Sequence, residues 1–162
     1  TERVPVLAWR VGSLTFVVDR TGQVFAPAPK TGARDASGAR LPLIVDARAA
    51  SPGTVAVGRQ LDPIDLDAAT RLAYLTPGDV GSSATTLTVR VTDDDGWILT
   101  TSPPSWTAVF GPYTPVLRTP DVIPAQVRLL RSLIAGREGR YARVVLADGE
   151  HGTYLPQPSG GG

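Results

Sequence analysis

Hydrophobic residues near the start of the chain come in short β-type runs separated by turn signals. Val4 to Val11 is apolar and mostly β-favouring, Gly12-Ser13 breaks it, and Leu14 to Val18 follows as a second run. Asp19 to Gly22 reads as a tight turn with Gly22 free to take a positive φ, before a third run from Gln23 to Ala26. The pattern predicts a meander in which Trp9, Phe16 and Phe25 are large buried side chains. Pro27 to Arg40 is rich in Pro, Gly, Ala and basic residues and predicts an exposed, mobile loop. Leu41 to Val45 is a short apolar segment, either a strand or an extended piece plugging the core, and Asp46 to Gly58 is loop-like.

The period changes at Asp62. Leu66, Ala69, Leu72 and Ala73 recur at helical spacing and predict a helix from Asp62 to Tyr74. Asp65 is its expected cap, Asp67 sits in the first turn, and Thr76-Pro77-Gly78 stops it. Thr86 to Val91 then alternates polar and apolar, Asp93 to Gly96 predicts a hairpin turn, and Trp97 to Thr101 pairs back. Trp106 to Phe110 completes a second meander. A second helix is expected from Pro124 to Ala135, capped by Asp121. Its core stripe is Val127, Leu130, Leu133 and Ile134, and Arg128 and Arg131 face solvent. Tyr141 to Leu146 is a strongly apolar strand, Gly152 to Leu155 a short edge strand ended by Pro156, and 157–162 a Pro/Ser/Gly tail expected to be disordered. About eight short strands and two helices predict an α+β fold, a mixed or antiparallel sheet with both helices packed on one face.

Composition narrows the function classes. Of the 162 residues 42% are hydrophobic and 19% charged, a globular balance. The net charge is +1 and no basic run tracks a phosphate backbone, so no nucleic-acid partner is expected. Absent Cys removes disulfides and thiolate chemistry. No stretch reaches the ~18–20 apolar residues of a membrane helix. The chain contains no Met and starts at Thr1, which predicts a piece of a longer polypeptide with any anchor or export signal upstream.

Candidate chemistry is thin. His151 is the only His and has no second His or Cys to support a metal or acid–base role. Asp93-Asp94-Asp95 lacks the further oxygen ligands of a calcium loop and reads as a solvated turn. Ser102 and Ser105 sit in no nucleophile elbow, and the glycines form no nucleotide-binding turn. Trp9, Trp97 and Trp106 offer a glycan platform, although packing in the core is the plainer expectation. These residues predict a non-enzymatic module with no cofactor, no metal and no small-molecule substrate.

The joints between elements carry a resemblance. Glu2 to Arg10, Glu-Arg-Val-Pro-Val-Leu-Ala-Trp-Arg, resembles the Glu-Arg-x-Pro-x-Ala-x-Trp stretch of the bacterial cell-division family FtsQ/DivIB, with Leu7 and Ala8 one position off the usual alanine. Val18 to Phe25 is similar to the family's Val-Asp-x-x-Gly-x-Val-Phe hairpin, and Leu41 to Ile44 to its Leu-Pro-hydrophobic segment. The first helix, the meander with Asp95-Gly96-Trp97, Val109-Phe110-Gly111 and the second helix follow in family order. Two features depart from it: Asp121 to Val127 lacks the family's Lys, and the Pro27–Arg40 loop is atypically long.

The resemblance implies an extracytoplasmic domain of a single-pass membrane protein of the division machinery. Residues 1–9 would end a preceding POTRA-like domain, and 10–156 would form the β-domain. The implied partners are FtsB/DivIC-like and FtsL-like division proteins, bound by strand addition at the C-terminal edge. An open strand edge suits that role, because its unpaired N–H and C=O groups can be completed by another chain. The candidate partner-binding residues are Glu150, His151, Gly152, Thr153, Tyr154 and Leu155, with Tyr154 as an anchor side chain. The alternative is a cell-wall glycan-binding module.

Overall fold

The computed structural model describes residues 4–29, 32–116, 118–146 and 152–156. Nine strands form one mixed sheet: β1 Pro5–Val11, β2 Leu14–Asp19, β3 Val24–Pro27, β4 Leu43–Asp46, β5 Thr86–Thr92, β6 Gly96–Ser102, β7 Thr107–Gly111, β8 Tyr141–Leu146 and β9 Gly152–Pro156. The spatial order is β3-β2-β1-β4-β5-β6-β7-β8-β9. Hairpin neighbours pair antiparallel, whereas β1 with β4, β4 with β5 and β7 with β8 pair parallel. The α+β class is as expected, with one strand more than the sequence count. Leu43–Asp46 is a central strand between two parallel partners, a position for which no hairpin turn in the sequence gives a cue.

β1 crosses the boundary expected between residues 9 and 10, pairing with β2 from Pro5 to Val11.

Two crossovers carry the main helices. Between β4 and β5 lie the one-turn helix α1, Ser51–Thr54, and α2, Pro63–Ala73; between β7 and β8 lies α3, Ile123–Ile134. Both long helices cover the same sheet face. Ala68, Ala69 and Leu72 of α2 and Ile123, Leu130 and Ile134 of α3 pack with Leu7, Trp9, Ile44, Val89, Trp97, Leu99 and Phe110 from alternate strand positions. Each fully buried Leu or Ile side chain there contributes about 1.5–3 kcal/mol. Val144 of β8 is fully buried in this core, so a charged residue there would break the packing.

Several expectations change. Neither long helix has the expected side-chain cap. Asp62 holds the N-cap position of α2 without a side-chain hydrogen bond, Pro63 opens the helix, and Asp65 lies within the first turn. Asp121 belongs to a 3-10 turn, Pro120–Val122, that leads into α3, and its carboxylate accepts from Thr119. Phe25 is only partly buried, because it points to the other sheet face. After β3, residues 33–41 form a small hairpin of their own. Arg34 and Arg40 bridge, Asp35 Oδ1 accepts from Ser37 and Ala39, and Ala33 and Leu41 bury themselves against Ala8 and Val17. The tail at 157–162 lies outside the described residues.

Polar groups tie the crossovers down. Gln126 of α3 is fully buried, and its Nε2 donates to Phe110 O at 3.0 Å and Leu146 O at 3.1 Å, bridging the ends of parallel strands β7 and β8. Its Oε1 accepts from Tyr113 OH at 2.7 Å.

Candidate partner-binding edge

Thr153, Tyr154 and Leu155 favour extended backbone, and Pro156 terminates the ladder because it has no N–H. They pair with β8 in the register Leu146↔Gly152, Val145↔Thr153, Val144↔Tyr154 and Arg143↔Leu155. Gly152 is required by close approach. A Cβ there would lie 2.9 Å from Val145 O and 3.5 Å from Leu129 Cδ2 of α3.

β9 is the last strand of the sheet, and among the described residues nothing pairs with its outer side. All five residues are exposed, and none is charged. Alternate residues turn their backbone groups away from β8, along an edge about 17 Å long at roughly 3.3 Å per residue. The opposite edge differs. Val24 of β3 donates to Arg59 O at 2.9 Å and accepts from Gly58 N at 2.8 Å, and Gln23 bridges Gln60. The chain's own backbone therefore covers the start of the β3 edge at Val24, whereas β9 carries none of the charge that commonly blunts a free edge.

Two large apolar side chains flank the open edge. Tyr154 is 55% exposed and shares a face with Val144, where its ring meets the buried Tyr141. Leu155 is 60% exposed and shares the other face with Arg143. Arg143 in turn pairs with Asp95 at 2.9 Å. Of the six expected partner-binding residues, Gly152, Thr153, Tyr154 and Leu155 lie in β9, while Glu150 and His151 lie outside the described residues.

The other candidates have structural partners. Trp9, Trp97 and Trp106 are all buried, so their indoles cannot form a glycan platform. Asp93 accepts from Ala49 N, and Asp95 holds Arg143. No group of three or more His, Asp or Glu among the described residues is placed to hold a metal ion.

A buried polar cluster went unforeseen. Asp46, at the end of β4, accepts from Trp9 Nε1 at 3.0 Å, from Ser51 Oγ at 2.7 Å, and from Arg48 Nε and Nη2 at 3.0 and 2.9 Å. Arg48 Nη1 reaches Asp65 Oδ2 of α2 at 3.0 Å. Burial pushes the Asp46 carboxyl up, but the hydrogen bonds from Arg48 and Ser51 and the guanidinium charge outweigh it and hold the group below its ordinary range. At Asp65 burial wins over the single Arg48 contact, and its carboxyl is raised. Both carboxylate oxygens of Asp46 accept more than one hydrogen bond, so the cluster fixes β4 to α1 and α2.

No family model matches the chain, and no curated protein matches it. No helix among the described residues is long and apolar enough to cross a membrane.

Proposed function

We propose that this chain is a non-enzymatic scaffold domain that receives an extended segment of a partner protein along β9. The observation that carries the proposal is the contrast between the two sheet edges, β3 covered at its start by residues 58–60 and β9, among the described residues, unpaired on its outer side and uncharged. Main-chain hydrogen bonds would supply the affinity, and Tyr154 and Leu155, one on each face, would supply the side-chain grip. The partner class comes from the FtsQ/DivIB resemblance: an FtsB/DivIC-like division protein, with an FtsL-like protein in the same assembly. The domain would stand outside the membrane on an upstream anchor, as a β-domain of that family does.

The test is a calorimetric titration with a peptide from the extracytoplasmic part of the FtsB/DivIC-like protein of the same genome, followed by amide exchange. Saturable binding with new protection at 152–156, weakened at least tenfold in Tyr154→Ala, is the expected result. Protection of some other strand, or equal affinity in the variant, would overturn it.

A further inference from the structure

The sheet face opposite the helices holds a groove that the near-neutral net charge conceals. Its volume is about 300 Å³, at the lower end of the ~300–1,000 Å³ of small-molecule sites. The hairpin of residues 33–41 makes one wall, and the strands β1, β2 and β4 make the floor. Ala8, Leu43, Ala33 and Leu41 form an apolar bottom, because the second small core lies directly beneath. Thr15 and Ser13 add hydroxyls at the rim.

The charge is one-sided. Arg10 and Arg40 both line the groove, and among the described residues no Asp or Glu does. Neither arginine has an ion-pair partner among the described residues; Arg10 makes only a long 3.4 Å hydrogen bond to Thr15 Oγ1. Arg90 stands two strands over on the same row, since Arg10 pairs with Val45 and Val45 with Arg90. The backbones of Arg10 and Arg90 therefore stand about 10 Å apart along the row, given ~4.8 Å between strands, beside the groove that Arg40 lines. Elsewhere Arg48 pairs with two aspartates and Arg143 with Asp95, so these two arginines are neutralised where they sit. Guanidinium groups beside an apolar floor suit a planar or tetrahedral anion on a hydrocarbon stem, because the fork binds two oxygens while the floor takes the stem.

We propose that this groove is a binding site for a small organic anion, a carboxylate or phosphate ester carrying a short apolar chain. Arg10 and Arg40 hold the anionic head, and Ala8, Leu41 and Leu43 take the chain. β1 is six strands from β9, about 29 Å at the same spacing, so the site is independent of the partner edge.

The test is a set of 1H–15N NMR titrations of the domain with hexanoate, hexyl phosphate and inorganic phosphate. The expected result is saturable shifts at Ala8, Ala33, Leu41 and Leu43 with hexanoate, hexyl phosphate or both, and the stronger of the two identifies the head group. Inorganic phosphate binds at least tenfold more weakly, because it leaves the floor empty. The double variant R10Q/R40Q weakens the binding at least tenfold, whereas the charge-matched control R20Q/R128Q leaves it unchanged. All four arginines are exposed, so both variants keep the wild-type thermal midpoint. Absence of saturable shifts at the floor residues would overturn the proposal. So would equal affinity for inorganic phosphate, or undiminished binding by R10Q/R40Q.

Discussion

The rings of Tyr154 and Tyr141 meet edge to face, with centroids 5.0 Å apart and planes at 84°. This contact joins the outermost strand to the core, since Tyr141 is buried while Tyr154 is half exposed. An aromatic pair of this geometry adds about 0.5–1.5 kcal/mol beyond its buried area. Tyr154→Ala should therefore cost about 1 kcal/mol in urea unfolding. It should also speed amide exchange in β9 while leaving β8, which pairs with β7 on its other side, protected. Unchanged exchange in β9 would mean that the backbone ladder alone holds the strand.

Removing the Asp46 carboxylate should be far more damaging. Asp46→Ala leaves the half-buried Arg48 guanidinium with Asp65 alone and strips Trp9 Nε1 and Ser51 Oγ of their acceptor. A broken buried pair costs about 3–5 kcal/mol. Asp46→Asn, which keeps one acceptor oxygen, should lose less. Denaturant unfolding of both variants at neutral pH measures the difference, and equal losses would show that the charge, not the hydrogen bonding, is what the cluster requires.

The strands and helices were legible because their signals are local. Thr86 to Val91 alternates with period two, and Leu130 and Ile134 recur with a helical period, whatever the rest of the chain does. The order of the strands was not legible, since β4 finds its place between β1 and β5 through parallel pairing with residues far away in sequence. The polar cluster was hidden for a related reason. Asp46 and Arg48 follow an apolar run and read as the start of a loop, and only Trp9, 37 positions away, reveals the carboxylate as buried. Gln126 did carry a signal, lying at helical spacing between Ile123 and Leu130 on the buried face. β9 was visible from its β-favouring residues. The covering of the other edge at Val24 was not, because Gly58 and Arg59 contribute backbone rather than side chains to it.

Gln126 gives a prediction of intermediate size. Gln126→Leu keeps the volume but removes the donor shared by Phe110 O and Leu146 O and the acceptor for Tyr113 OH. Arg118 still donates to both carbonyls, at 3.1 and 3.3 Å, so the Tyr113 hydroxyl is the group left buried and unpaired. The cost should be about 1–3 kcal/mol, seen as a lower urea midpoint at an unchanged slope. Adding Tyr113→Phe should recover part of that loss, and a double variant no better than the single would assign the cost to the carbonyls.

Glu138 makes stability depend on acid pH in a calculable direction. It follows α3 and accepts from Ser82 Oγ, from Ser83 N at 3.0 Å and Oγ at 2.7 Å, and from Trp106 Nε1 at 2.6 Å, binding the end of that crossover to the turn before β5 and to the start of β7. Burial would raise its carboxyl, but these donors outweigh it and hold the group at about 2, against an ordinary 4.5. A carboxyl depressed in the folded state stabilises the fold when ionised. That contribution is complete above pH 4.5, shrinks as pH falls through the window, and is gone below about pH 2. Glu138→Gln should therefore lower the thermal midpoint at pH 7, and the gap from wild type should close steadily as the pH is brought down toward 2. Thermal melts followed by circular dichroism across this range decide it. A gap that stayed constant with pH would mean that the amide fits the Ser82, Ser83 and Trp106 donors less well for reasons of shape and hydrogen bonding, and that the charge of Glu138 plays no part.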